Sequence, residues 1–464
     1  MNKLSITHVP FILQHGLKLL LIKLVTILFL SANVNAQSLI KESFKYTADD
    51  SIRVNIWLPY EYNKVDSYPV IYFNSYGSLD QFGLNVSATM NTKNASFPKA
   101  IVVEILPVGS LTTTEVVGYD YLNKNINQNG QLFLTTLKNT IFPYINATYS
   151  NSTFSIYLGH SYTASYGIQL FYDYPSLFDA YILFAPEILD SNYAVPQPNT
   201  SALKNKFMYI FTGTNDIERR INLNGDLVKV LSGHKGLDFK GELIGGAGHN
   251  DIVELSLKKG FSDLFNNYFN INNIDSTDLE NSFNAEIVRV KDVFKFKHVN
   301  LNRYYFPLYN LAEKYKDREF LKFLLETEGN LSNSPIHLFN IGYIYLKTFK
   351  DIKTAEELYL KSINTAINIG KPKEAFNGYI WLSKLYMDDN PDRAFELLVE
   401  GAEKCGSDIL LYNAANLALK NGGLKSKGIK ILDELLNQPI NMSLYQFGIT
   451  EEKIIEIRDK IKNK

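Results

Sequence analysis

Only one of the 464 residues is a cysteine, Cys405. That excludes an intramolecular disulfide and any CxxC metal or redox centre. Cys405 lies in the helical stretch Ala402-Glu403-Lys404-Cys405-Gly406 with no histidine beside it, which reads as a buried structural thiol. Charge of one sign is also missing. The 47 Lys and Arg residues nearly cancel the 48 Asp and Glu, leaving a net charge of −1. Without a basic stripe to neutralise phosphates, no nucleic-acid partner is expected. Long hydrophobic runs are absent too. The run Leu24-Val25-Thr26-Ile27-Leu28-Phe29-Leu30 falls well short of the ~20 residues a membrane helix needs. Lysines 3, 18 and 23 precede it, and Ser31-Ala32-Asn33-Val34-Asn35-Ala36 follows with small residues at −3 and −1 of a cut after Ala36. That order predicts a signal peptide over residues 1–36 and an exported protein with no stable membrane span after cleavage. No cysteine follows the run, so lipidation is not supported; export without disulfides suits a bacterial periplasmic or secreted protein.

A chain of this length implies two or three domains. What is present is 45% hydrophobic and 20% charged residues, a globular composition. Tyr and Phe number 30 and 29 without a spacing pattern, which reads as core packing. From about 40 to 270, short apolar runs alternate with helix-length segments. Residues 51–59 alternate with period two, a half-exposed strand. Val70–Phe73, Ala100–Ile105, Thr153–Leu158, Ala180–Phe184 and Phe207–Phe211 are continuous apolar runs, the pattern of a mainly parallel sheet covered on both faces. The Asn-rich stretch from Asn267 to Thr277 marks a domain boundary. Beyond it, apolar residues recur at three and four spacing, as at Phe320, Phe323 and Leu324, which predicts an all-α domain. Worn internal units are visible there: Leu338, Ile341, Gly342, Tyr345 with Ala355, Tyr359, Ser362; then Tyr379, Leu382, Ser383, Tyr386 with Ala394, Leu398, Gly401. A third reads Leu411, Ala414, Ala415, Ala418 with Gly428, Leu432, Leu435. Small residues at fixed places let paired helices approach closely, and these units resemble tetratricopeptide repeats.

The most informative stretch is Ile156-Tyr157-Leu158-Gly159-His160-Ser161-Tyr162-Thr163-Ala164. A buried strand runs into a tight turn and then a small-residue helix start, the context of a nucleophile elbow. Ser161 sits at the corner, Gly159 supplies the small residue two before it, and Thr163 stands where a second Gly is usual. Helix N-termini favour negative charge, so the N–H of Tyr162 is the natural first oxyanion donor. The turn after Val70–Phe73 should supply the second, from Tyr76 or its near alternative Gly77. Serine needs a base, and histidine has the suitable proton affinity. Of the seven histidines, His8 and His15 leave with the signal, His160 adjoins Ser161 with its ring expected to point away, and His298 and His337 lie in the helical part. His249 follows the expected edge strand Phe239–Ile244 and the loop Gly245-Gly246-Ala247-Gly248, and is chosen over His234, which reads as a solvated turn residue. The acid falls between Ser and His in chain order. Asp216, just past the strand Phe207–Phe211, is the candidate that accepts the Nδ1–H of the base, with Glu218 in reserve. No metal or cofactor motif accompanies these residues.

Three stretches resemble the putative esterase family of α/β-hydrolases, which includes esterase D, feruloyl esterases and enterobactin-type siderophore esterases. They are Tyr68–Phe73, the elbow with its helix through Tyr174-Pro175-Ser176-Leu177-Phe178 and Ala185-Pro186, and Gly246–Phe265 around His249. The resemblance spans about residues 40–268 and implies that Ser161, Asp216 and His249 occupy triad positions. This chain departs from the family where Thr163-Ala164 replaces a Gly pair and where Asn74-Ser75-Tyr76-Gly77 replaces a turn often ending in His-Gly or Asp-Gly.

The expectation is therefore an α/β-hydrolase sandwich with a mainly parallel sheet over residues 37–270, followed by an all-α helical-repeat domain over 271–464. Function is expected to be cofactor-free hydrolysis of a small-molecule carboxylic ester through an acyl-enzyme on Ser161, with the helical repeats available to a protein partner. Two alternatives stand beside it: a catalytically impaired scaffold, motivated by Thr163, and an acyltransferase using the same triad.

Overall fold

The structure, a computed structural model, describes residues 38–463 apart from 61, 75–81, 92–96, 121–124, 151, 190–202, 300, 302–303, 328–332 and 438–441. Residues 1–36, where a signal peptide is expected, and the oxyanion candidates Tyr76 and Gly77 lie outside the described residues. The chain divides into two compact units. One comprises the chain up to Asn270 together with Ala285–Asn300; the other comprises Ile271–Asn284 and Leu301 onwards.

The first unit is built on an eight-stranded sheet of order β1-β2-β4-β3-β7-β8-β9-β10. Its strands are β1 (Leu39–Lys45), β2 (Ser51–Trp57), β3 (Val70–Asn74), β4 (Ile101–Val108), β7 (Ser155–His160), β8 (Ala180–Phe184), β9 (Lys206–Gly213) and β10 (Leu237–Ile244). The short strands β5 (Tyr119–Asp120) and β6 (Asn125–Ile126) form a separate antiparallel pair. β1 and β2 join antiparallel, and from β4 to β10 every pairing is parallel. The apolar runs explain this. Every residue of β3, β8 and β9 is buried, as strands covered on both faces must be, whereas β2 buries Ile52, Val54 and Ile56 and exposes Arg53. Edge strand β10 is only partly covered. Strand β1, which the apolar pattern does not announce, pairs Leu39–Lys45 with Trp57–Ser51.

Parallel register aligns Tyr72, Tyr157 and Tyr181 across β3, β7 and β8 on one face. Phe178 packs 5.2 Å from Tyr157 and 5.8 Å from Tyr181, ring centre to ring centre. The opposite face carries Phe154 and Phe207. Phe294, from the Ala285–Asn300 segment, stacks on Phe207 at 5.7 Å and meets Phe154 at 5.3 Å. Burial of Phe294 and Phe296 to 1% and 3% exposure contributes roughly 1.5–3 kcal/mol each, an upper bound that explains why this segment belongs to the α/β unit although it lies past the polar boundary at 267–277. Lys295, between those rings, reaches Asp179 at 2.7 Å.

Every secondary-structure element among the second unit's described residues is helical, the last being Glu451–Lys462. Successive helices touch where the sequence is small. A Cβ on Gly342 would meet the Tyr359 ring at 3.0 Å, one on Gly401 the Tyr379 ring at 2.6 Å, and one on Gly428 the Ala418 methyl at 2.5 Å. Cys405 is buried, donates to the Pro372 carbonyl at 3.1 Å, and has its thiol pushed up by burial, as fits a structural thiol. No helix among the described residues is long and apolar enough to cross a membrane.

Candidate active site

Ser161 follows β7 directly and precedes the helix Tyr162–Asp173, with φ 54° and ψ −118°. This is a strained conformation for a residue with a side chain, and it persists because both neighbours over-determine it. The Ser161 N–H donates to the Phe184 carbonyl at 2.9 Å, and Ala164 and Ser165 N–H groups donate to the Ser161 carbonyl at 3.1 Å each. The chain doubles back so tightly that a Cβ at Gly159 would sit 2.6 Å from the Thr163 oxygen and 2.7 Å from Ala164 Cα. Glycine is required there, where the G-H-S pattern has it.

Thr163 is accommodated by its own hydroxyl. Its Oγ1 accepts from the His160 N–H at 2.9 Å and donates to the His160 carbonyl at 3.0 Å, closing the elbow from within. Its side chain is thus directed at the backbone of His160 and not at the Ser161 hydroxyl. The Tyr162 hydroxyl donates to the Tyr119 carbonyl at 2.8 Å and accepts from the Tyr119 N–H at 3.1 Å, which fixes the start of the helix.

Parallel topology brings the other candidates to the same edge of the sheet, because Ser161, Asp216 and His249 each follow the C-terminal end of a parallel strand. Ser161 Oγ lies 3.0 Å from His249 Nε2, and His249 Nδ1 lies 3.0 Å from Asp216 Oδ2. An ionised carboxylate only accepts, so Nδ1 carries the ring proton and Nε2 is left to accept from the serine hydroxyl. The Asp216 side chain is 1% exposed and that of His249 27%, so the carboxylate is hidden while the imidazole edge reaches solvent. Burial pushes the Asp216 carboxyl up, but the Ile217 N–H, His249 and the Arg220 charge together outweigh it and hold the group below the usual carboxylate range.

The loop carrying His249 is laid against the end of β9. Asn215 donates from its backbone to the Ala247 carbonyl at 2.8 Å and from its side chain to the Gly246 carbonyl at 2.9 Å. The Gly246 N–H donates to Thr214 Oγ1 at 2.9 Å. Gly213 makes room for this contact, since a Cβ there would lie 2.1 Å from the Ala247 oxygen. His160 turns to the base loop: its Nε2 donates to the His249 carbonyl at 2.7 Å, and the two rings are 4.8 Å apart. Burial lowers the proton affinity of His160, which favours the neutral ring.

Glu218 is exposed at the start of the helix Glu218–Ser232, and it is Asp216 that takes the Nδ1 of His249. His234 precedes β10, at the edge where the parallel strands begin, so a strand length of roughly 20 Å or more separates it from Ser161. His337 belongs to the helical unit, and His298 is exposed near the end of the Ala285–Asn300 segment. Sequence reasoning did not single out Arg220, Glu187 or Gly213. The four-residue step from Asp216 to Arg220 at a helix start was the available signal for the first; the other two depend on contacts between distant segments. Among the described residues no cluster of three or more His, Cys, Asp or Glu could hold a metal ion.

Residues 46–254 match the family model described as Putative esterase. No curated protein matches the chain. Among solved structures, an uncharacterised protein from Capnocytophaga ochracea is 16% identical, with 70% of this chain and 94% of that chain covered and a TM-score of 0.51, a likeness of fold. An IroE-like serine hydrolase from Shewanella oneidensis is 17% identical over 61% of this chain and 96% of that one, with a TM-score of 0.47. A siderophore hydrolase EstA from Aspergillus nidulans is 14% identical over 50% and 95%, with a TM-score of 0.40. Fold and family match together define an esterase-type hydrolase of α/β-hydrolase architecture. The match to the putative esterase family falls within the α/β unit, and a helical C-terminal unit follows it.

Proposed function

We propose that this chain is an exported serine hydrolase that cleaves a small-molecule carboxylic ester through an acyl-enzyme. One observation carries the reading: the unbroken line Ser161 Oγ to His249 Nε2 at 3.0 Å and His249 Nδ1 to Asp216 Oδ2 at 3.0 Å, with Ser161 held at a positive φ of 54°. His249 Nε2 takes the hydroxyl proton as Oγ attacks the carbonyl carbon, and Asp216 stabilises the imidazolium. The tetrahedral oxyanion forms at the start of the helix Tyr162–Asp173, where backbone N–H groups and the dipole favour negative charge. The Tyr162 N–H is one donor and Tyr76, or Gly77, the second. The imidazolium then protonates the leaving alcohol. Water, losing a proton to His249, attacks the acyl-enzyme, and the acid and free Ser161 are released.

The impaired-scaffold alternative was motivated by Thr163. The bonding of its hydroxyl to the His160 backbone argues against that reading, because Ser161 Oγ keeps its partner. Export rests on residues 1–36, and the tetratricopeptide-like character of the helical unit on the small residues at its helix contacts. Fluorophosphonate labelling with peptide mapping tests the catalytic reading. A single adduct on Ser161, lost in Ser161→Ala together with turnover of a short p-nitrophenyl ester, is the expected result; turnover that survives Ser161→Ala refutes it.

A further inference from the structure

The hydrogen bonds around Asp216 continue past the triad and return to the nucleophile. Asp216 Oδ2 serves His249, while Oδ1 accepts from the Ile217 N–H at 2.7 Å and pairs with Arg220 Nη1. The rest of the Arg220 fork turns to Glu187: Nε reaches Oε2 at 2.9 Å and Nη2 meets the same oxygen. Glu187 Oε1 pairs with Arg219. The Glu187 backbone belongs to the elbow, its N–H facing the Ser161 carbonyl at 3.4 Å and its carbonyl accepting from Ser165 Oγ at 2.7 Å. The ring therefore runs from Ser161 Oγ through His249, Asp216, Arg220 and Glu187 back to the main chain of Ser161.

Burial makes the ring consequential. The side chains of Arg220, Asp216 and Glu187 are 10%, 1% and 18% exposed. A guanidinium so far from water is tolerated only when its fork is matched by carboxylates. A carboxylate terminal torsion is broad, so the single His249 bond to Oδ2 leaves the plane of Asp216 loosely set; the Ile217 N–H and Arg220 Nη1 on Oδ1, the latter on a guanidinium whose other two nitrogens are held by Glu187, set it. We propose that Arg220 is a positioning residue of the triad, fixing the plane of Asp216 against His249, and that Glu187 both aims Arg220 and cancels its charge at the imidazole. This rests on the serine-hydrolase reading above. The charged and titratable groups around His249 are Asp216 and Arg220, then Glu187 and Arg219, with His160 across the ring and Asp251 at the base loop, where its Oδ1 accepts from the Gly248 N–H at 2.5 Å.

The two partners act on the imidazolium with opposite sign. Removing the Arg220 cation favours protonated His249; removing the Glu187 anion disfavours it. The test compares wild type, Arg220→Gln, Arg220→Lys and Glu187→Gln in ester hydrolysis across the acid limb of kcat/KM, with thermal melting and fluorophosphonate labelling alongside. Arg220→Gln is expected to lower kcat about 10- to 100-fold with KM within about threefold, and to raise the acid limb by about half a pH unit. Glu187→Gln is expected to lower that limb by about as much. Arg220→Lys restores the charge but not the fork, so its limb returns toward wild type while kcat stays low. Should Arg220→Gln not fold, Arg220→Lys and Glu187→Gln carry the comparison. Limbs that stay in place, or move in the same direction in the Arg220→Gln and Glu187→Gln variants, overturn the inference while wild type still labels on Ser161. If wild type does not label, the hydrolase reading fails and this inference falls with it.

Discussion

Gly213 never approaches the reacting atoms, yet its substitution should disable them. A Cβ on Gly213 would stand 2.1 Å from the Ala247 oxygen, 2.6 Å from the Ala247 carbonyl carbon and 3.1 Å from the Gly248 oxygen. All three belong to the backbone of the loop that delivers His249. The closest is about 1 Å inside the 3.0 Å limit that real Cβ contacts respect, so Gly213→Ala must push the loop outward by about that much. The loop can yield, because a Cβ at Gly245 or Gly246 would meet nothing within 4 Å. The 3.0 Å bond from His249 Nε2 to Ser161 Oγ would then stretch to about 4 Å, beyond hydrogen-bond reach. A displacement of this size costs on the order of 100-fold in kcat, against about 1–3 kcal/mol of stability for the overpacking itself. Ester turnover and thermal melting of purified Gly213→Ala measure both. Gly225→Ala is the control: it lies in the helix Glu218–Ser232 with nothing within 4 Å, and should keep full activity with stability unchanged or raised by up to about 1 kcal/mol. Wild-type turnover in Gly213→Ala would refute the claim that close packing of β9 on the loop aligns His249, the proposed base.

Asp216→Asn should keep the fold but lower kcat by roughly 10⁴-fold, because an amide can donate to Nδ1 and so select the wrong tautomer of His249; a loss under tenfold in the same assay would contradict the role given to the carboxylate. Thr163→Val leaves the His160 N–H without its 2.9 Å partner in a buried elbow and should destabilise the protein by about 1–3 kcal/mol in urea unfolding, while Thr163→Ser, which keeps the hydroxyl, should lose less. His337, packed 4.7 Å from the Tyr305 ring and 5.8 Å from Tyr309, has its proton affinity pushed down by burial to about 4. The unfolded chain then binds more protons than the folded one below pH about 6.5, so stability is complete above that value and falls as pH drops to about 4. Allowing for partial exposure, the loss should be about 1–2 kcal/mol, and His337→Phe should flatten it in pH-dependent melting.

Local pattern made several parts of this protein legible before any coordinates. A buried apolar run followed by a tight turn and small residues marks an elbow wherever it occurs, because each requirement is met within about ten residues. The same holds for Asp216 just past a buried strand, for His249 after a glycine-rich loop, and for the change from strand runs to three-and-four spacing near residue 270. Other features depend on which distant segments become neighbours. Nothing in the residues 285–300 announced that Phe294 and Phe296 would be buried with the α/β unit. Thr163 departs from the usual glycine of the elbow, and only the fold brings its hydroxyl onto the His160 backbone.

Sequence alone thus determined which side chains could serve as nucleophile, base and acid, since chemical identity and local backbone context are both written in short stretches. Only the tertiary structure decided that Ser161, His249 and Asp216 stand within hydrogen-bond distance, that Gly213 must lack a side chain, and that Arg220 and Glu187 close a ring behind the acid. Those facts arise from strand order and register, which bring together residues some 90 positions apart, and a contact over such a separation follows from the packing of the whole sheet.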